Sequence, residues 1–158
     1  RANFTNAKLW RASMLQAQMQ EAILTGANME QAILHIANAT GADFTGVNLN
    51  GGSITRANMT RAILTGATLA RANLSETVLV DATVIGADFS NAELPTVDFT
   101  GANLTGSKFI GASMWAVNFT NANLTDVDFT DAGMPDAIFT GAKMCRTKLP
   151  AGIDSSGC

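Results

Sequence analysis

The 158-residue sequence has no tyrosine, one histidine, three prolines and two cysteines, and only 15% of it is charged. Each scarcity excludes something. The single imidazole, His35, has no nucleophile at a suggestive spacing, so no His-based catalytic group is written here. Two cysteines and one distant histidine fall short of the ligand set of a zinc site, and no cofactor-binding pattern is present. The apolar runs are only a few residues long, whereas a membrane-spanning helix needs roughly 20, so no membrane insertion is expected. At 47% apolar residues the chain is too hydrophobic for a disordered tail and long enough for one domain. The net charge of −3 is uneven: residues 1–71 carry six Lys/Arg against three Asp/Glu, residues 72–158 four against ten. Nucleic acid is not expected as a partner. The chain opens at Arg1 already inside a repeat, the expectation for a processed or trimmed form.

What the sequence does have is a period of five. The stretch "VDFTGANLTG" (97–106) spells nearly the same word twice. Of the thirty positions taken every fifth residue from Ala2 to Thr147, twenty-two are Ala and the others are Val, Thr, Ser or Gly. The thirty positions from Phe4 to Leu149 hold twelve Leu, all eight Phe and all seven Met, with Ile54, Val84 and Ala39. No insertion breaks the frame. Internal repetition of this regularity signals a solenoid rather than a helix or an open sheet.

The remaining positions tell how the backbone bends. All three prolines (Pro95, Pro135, Pro150) follow the large apolar residue, and ten of the fourteen glycines come next. Pro followed by Gly or Asn is the preference of a type II β-turn, whose third residue has φ above zero. Words ending in Arg, Asp or Gln are expected to use another corner without positive φ. A chain that turns every five residues must close on itself; if it closes in four corners, a circuit takes twenty residues and the next stacks at β spacing, giving about 7.5 circuits and a rod on the order of 36 Å long. The Ala and Leu/Phe/Met positions point inward. Folded at twenty, the sequence predicts two aromatic ladders, Phe89–Phe109–Phe129 and Phe99–Phe119–Phe139, and places undersized Ala39 between Met19 and Met59.

The words "ADFTG" (42–46), "ANLTG" (102–106) and "ANLTD" (122–126) resemble the A(D/N)LXX motif of the pentapeptide repeat family, over residues 1–150. That resemblance implies a right-handed quadrilateral β-helix, an all-β solenoid. The tail 151–158 leaves the register and is expected to cap the last coil. Cys145 sits at an outward position and Cys158 is the final residue. Either they bond, closing a loop of about 14 residues worth about 3 kcal/mol, or they are unrelated thiols. The ending "MCRTKLPAGIDSSGC" resembles the disulfide-closed tail of cyanobacterial and chloroplast members, which implies a bond and a thylakoid lumen or periplasm.

Several patterns mimic chemistry. "GANLTGSK" (101–108) misses a phosphate-binding loop because Lys108 follows Ser107 and no helix comes after. The N-x-[ST] matches arise from the repeat itself. The acidic corners Asp126, Asp131 and Asp136 lie on successive sides and face different directions. The column Thr5, Thr25, Thr45, Thr65, Thr105, Thr125 could order water, but Ile85 interrupts it. A better surface is the column carrying Trp115 between Pro95 and Pro135, with Ile110 on the neighbouring side; an exposed Trp is a plausible interface anchor. The expected function is a non-catalytic scaffold, monomeric, presenting rigid faces to a protein partner. The alternative, implied by quinolone-resistance members of the family, is inhibition of DNA gyrase by mimicking duplex DNA.

Overall fold

The backbone groups of each word determine the structure, a computed structural model that describes residues 1–154 and 156–158. Twenty-six single-residue parallel bridges run from Asn3↔Ile23 to Asp128↔Lys148, and every one joins residues twenty apart. Between them the chain turns four times per circuit: Ala7 N–H donates to Phe4 carbonyl, Ala12 to Leu9, Ala17 to Met14 and Ala22 to Met19, at 2.9–3.1 Å. The first to fourth sides of a circuit are named from the words that open the chain, at residues 2–5, 7–10, 12–15 and 17–20. Among the described residues regular strands appear only at the end, where β1 (Thr147–Leu149) pairs antiparallel with β2 (Gly152–Asp154).

Three more amides of each word bond between coils. The outward residue donates to the coil before, as Ile23 N–H does to Ala2 carbonyl at 2.9 Å; the apolar residue and the corner residue donate to the coil after, as Phe4 does to Ile23 and Asn6 to Thr25. The fourth residue of the word has no such backbone acceptor. Where the outward residue is Asn or Asp, that side chain meets its N–H, as when Thr100 N–H donates to Asp98 Oδ1 at 2.9 Å. All thirteen Asn and Asp residues at the outward position accept this bond. Proline, which has no N–H, fits the same position. None of the three prolines follows an Asn or Asp at the outward position: the residues two before them are Glu93, Gly133 and Lys148.

The corners correct one expectation. Arg11 (φ 54°), Gln16 (φ 55°) and Asp126 (φ 58°) adopt the same left-handed conformation as the glycine corners, and so do Ile36 and Thr96. A circuit closes only if all four turns bend alike, so closure overrides residue preference at a cost of about 1 kcal/mol or more per non-glycine corner. Inter-coil bonds and core burial offset it.

The interior is the Leu/Phe/Met register together with the Ala register, buried from Met19 to Ala132. The two expected aromatic ladders are present. Phe89, Phe109 and Phe129 stack with centroids 4.7 and 5.2 Å apart, and Phe99, Phe119 and Phe139 at 5.4 and 5.3 Å. Rings of opposite ladders meet edge to face, as Phe109 and Phe119 do at 6.2 Å and 87°. Both arrangements suit the ring quadrupole. Three hydroxyls share this interior, each donating to a carbonyl of the preceding coil: Thr77 to Ile54, Ser107 to Val84 and Thr147 to Leu124.

At the C-terminal end Cys145 and Cys158 are bonded, with Cα atoms 4.7 Å apart. Cys145 stands at an outward register but is buried, because the returning tail covers it. Gly157 N–H donates to Met144 carbonyl at 3.0 Å, and a Cβ on Gly157 would lie 2.6 Å from Met144 N, so only glycine fits there.

The ladders make a direct stability prediction. Phe119→Ala removes a fully buried ring between four aromatic neighbours and is expected to cost about 3–5 kcal/mol in urea unfolding. A loss below about 1 kcal/mol would place Phe119 outside a packed interior.

Candidate interaction surface

Most outward polar groups are already engaged. In the Thr5 column, Thr5, Thr105 and Thr125 hydroxyls donate to Asn3, Asn103 and Asn123, and Thr25 donates to Asp43 at 3.1 Å. Hydroxyls held this way are not free to order a water lattice. His35 Nδ1 lies 2.6 Å from Thr55 Oγ1, its neighbour one coil up. Among the described residues no group of three or more His, Cys, Asp or Glu is placed to hold a metal, and no helix is long and apolar enough to cross a membrane.

Among the described residues two of the three charged pairs lie at the C-terminal end, and the third joins Arg56 to Glu76 at 3.0 Å in the middle of the rod. Asp126 accepts two bonds from Arg146, at 2.6 and 2.7 Å, and Asp128 lies 3.5 Å from Lys148 Nζ. The Arg146 bond and charge hold the Asp126 carboxyl below its usual value of 3.8 and raise Arg146 in turn. At Asp128, burial acts upward, but bonds from Thr130 and the Lys148 charge lower the carboxyl overall.

Trp115 stands at the corner between the third and fourth sides, 53% exposed. Its column is real: Thr96 N–H donates to Trp115 carbonyl and Ala116 N–H to Pro135 carbonyl, at 2.8 and 2.9 Å, so Pro95 lies one coil below and Pro135 one above. Three successive turns of this column are loose. Val97 to Leu94 measures 3.4 Å and Ala137 to Met134 3.3 Å, and among the described residues no turn bond closes Met114–Val117. Ile110 is half-buried and stands at the other corner of the third side. The structure adds a residue the sequence reading missed. Ile138, 47% exposed, bridges Asn118 on the fourth side, one coil above and just around the corner from Trp115. Folding the sequence at twenty places it there, twenty-three residues after Trp115. On the third side, the Ser113↔Gly133 bridge puts a glycine with open space beside the indole. The second tryptophan, Trp10, is covered on one face by Arg11 at 4.4 Å.

The Pentapeptide repeats family model matches the chain in eight copies, over residues 1–35, 37–66, 57–94, 77–115, 98–134 and 116–149. The chain belongs to the pentapeptide repeat family. Among solved structures it is similar to the pentapeptide repeat protein Rfr23 of the cyanobacterium Cyanothece 51142, at 24% identity and TM-score 0.65, covering 66% of this chain and 85% of that one. HetL of Nostoc sp. PCC 7120, involved in heterocyst differentiation regulation, matches at 24% identity and TM-score 0.52 over 95% of this chain and 77% of its own. QnrB1, a plasmid-mediated fluoroquinolone resistance protein, matches at 17% identity and TM-score 0.68 over 92% and 77%. No curated protein sequence matches the chain. These pentapeptide repeat structures give the solenoid its description as a right-handed quadrilateral β-helix.

The acid response follows from the lowered carboxyls. A group whose folded pKa lies below its unfolded one stabilises fully above the unfolded value and loses that contribution as pH falls through the folded value. The thermal midpoint is therefore expected to hold down to about pH 5 and to drop from about pH 4 towards pH 2. Asp128→Asn, which keeps the acceptor for Thr130, should drop less. A drop already complete at about pH 5 would contradict this assignment.

Proposed function

We propose that this pentapeptide repeat protein is a non-catalytic interaction scaffold, a stiff monomeric rod that presents its Trp115 edge to a protein partner. Thirty words at four to a coil make it seven and a half coils long. The observation that carries the reading is the grouping of exposed Trp115, Ile138 and Pro135 with half-buried Pro95, on a surface whose polar outward side chains largely bond to one another. Large aromatic side chains presented on a rigid support are the usual anchors of protein interfaces, and a β-helix fixes them without further ordering. The Cys145–Cys158 bond supports a working place outside the reducing cytoplasm, a thylakoid lumen or periplasm.

Duplex-DNA mimicry against DNA gyrase is the second reading. It rests on the ten acidic residues in 72–158 and on a fold shared with QnrB1. Against it, that acidity is confined to part of the surface. Lys108, Lys143, Arg146 and Lys148 all lie on the first two sides, so the rod does not carry a continuous acidic surface.

Affinity capture from an extract of the native compartment separates the readings. Trp115→Ala is expected to lose the captured protein at least tenfold, while Trp10→Ala retains it. Equal recovery with all three proteins, or gyrase as the captured species together with inhibition of supercoiling, would overturn the scaffold reading.

A further inference from the structure

The ten-residue stretches 91–100, 111–120 and 131–140 form the third and fourth sides of three consecutive coils, stacked by the bridges Glu93↔Ser113↔Gly133 and Asp98↔Asn118↔Ile138. Trp115 and Ile138 lie within them. These thirty residues contain four acids, Glu93, Asp98, Asp131 and Asp136, and no Lys or Arg. The other two sides of the same coils, residues 101–110, 121–130 and 141–150, contain four bases and two acids, and both acids are paired, Asp126 with Arg146 and Asp128 with Lys148. The charge is thus sorted by side: −4 around the tryptophan, +2 behind it.

From this sorting we infer that the partner of the Trp115 edge is a cationic protein surface, an apolar recess lined by Lys or Arg. The inference rests on the reading of that edge as an interaction surface. Two features specify the occupant. Trp115 is on a corner, and a convex ridge is complementary to a recess rather than to a flat face. Glu93 and Asp131 lie on the third side, Asp98 on the fourth and Asp136 on the ridge itself, with no base among them on those two sides, so they attract a basic rim, speed its approach and repel phosphate polymers and acidic proteins. The cationic back of the rod discourages the same partner from docking there, which fixes the orientation.

The experiment uses the full chain carrying Trp10→Phe, so that Trp115 is the only indole, and reads its emission during titration with two amphipathic peptides of equal length and Leu pattern. One is Lys/Leu and the other Glu/Leu. The Lys/Leu peptide is expected to blue-shift Trp115 and to bind at least tenfold more tightly than the Glu/Leu peptide. Raising the salt from about 0.05 M to 0.5 M should weaken it several-fold. Glu93→Gln, Asp98→Asn, Asp131→Asn and Asp136→Asn combined should abolish the preference. Asn at 98 keeps the acceptor for Thr100, and far-UV circular dichroism checks that the coils persist. Equal response to both peptides, no response to either, or an undiminished preference in the neutralised protein overturns the cationic partner and leaves the Trp115 edge standing. Lys/Leu binding that neither shifts the indole nor changes with Trp115→Ala overturns the edge as well.

Discussion

Every five-residue word carries five backbone groups that must find acceptors, and a turn every five residues leaves one without a backbone partner. Unpaired buried amides are costly, so a native chain pairs nearly all of them. Here one amide closes the turn, one bonds to the coil before and two bond to the coil after. The remaining one, on the fourth residue, is met by the Asn or Asp two positions earlier in the thirteen words that carry one. This explains why the second letter of the word is so often Asn or Asp, and why proline is tolerated only at the fourth letter.

The same rule shapes the surface. An Asn or Asp that accepts from the backbone, and often also from a Thr or Ser hydroxyl, has one oxygen committed to the bonding of its own word. Apolar anchors therefore fall to side chains outside the pattern. Trp115, Ile138 and the two flanking prolines occupy words in which that acceptor is missing, at Ser113, Ile138, Glu93 and Gly133. Breaking the word at those places releases outward positions for apolar residues. In the same region the corner turns open to 3.3–3.4 Å. Structural regularity and binding surface are thus two outcomes of the same choice at each word.

Much of the fold was legible because side-chain size repeats directly in the sequence. The Ala and Leu/Phe/Met registers fix what faces inward, and counting by twenty finds the stacked phenylalanines. The corners were not legible in the same way. Arg11, Gln16 and Ile36 have no local preference for positive φ, and only closure of the whole circuit imposes it. Burial of Cys145 was hidden too, because the residues covering it lie outside the repeat. On the candidate surface, Trp115 stood out by its chemistry. Ile138 did not, since an isoleucine in an apolar-rich repeat attracts no notice until the fold places it beside the indole. The sorting of charge by side was likewise invisible to a count made along the chain, which shows only an acidic second half.

Everything rests on residues twenty apart being stacked neighbours, and paired cysteines measure that directly. Parallel neighbours roughly 4.8 Å apart lie within the range a disulfide spans. Ile63→Cys with Thr83→Cys, which replaces a bridged pair, is predicted to oxidise readily in the folded protein. Ile63→Cys with Val78→Cys, fifteen apart and on the adjacent side, is predicted to remain reduced. Equal oxidation of both pairs, or oxidation of the fifteen-residue pair alone, would contradict the twenty-residue circuit.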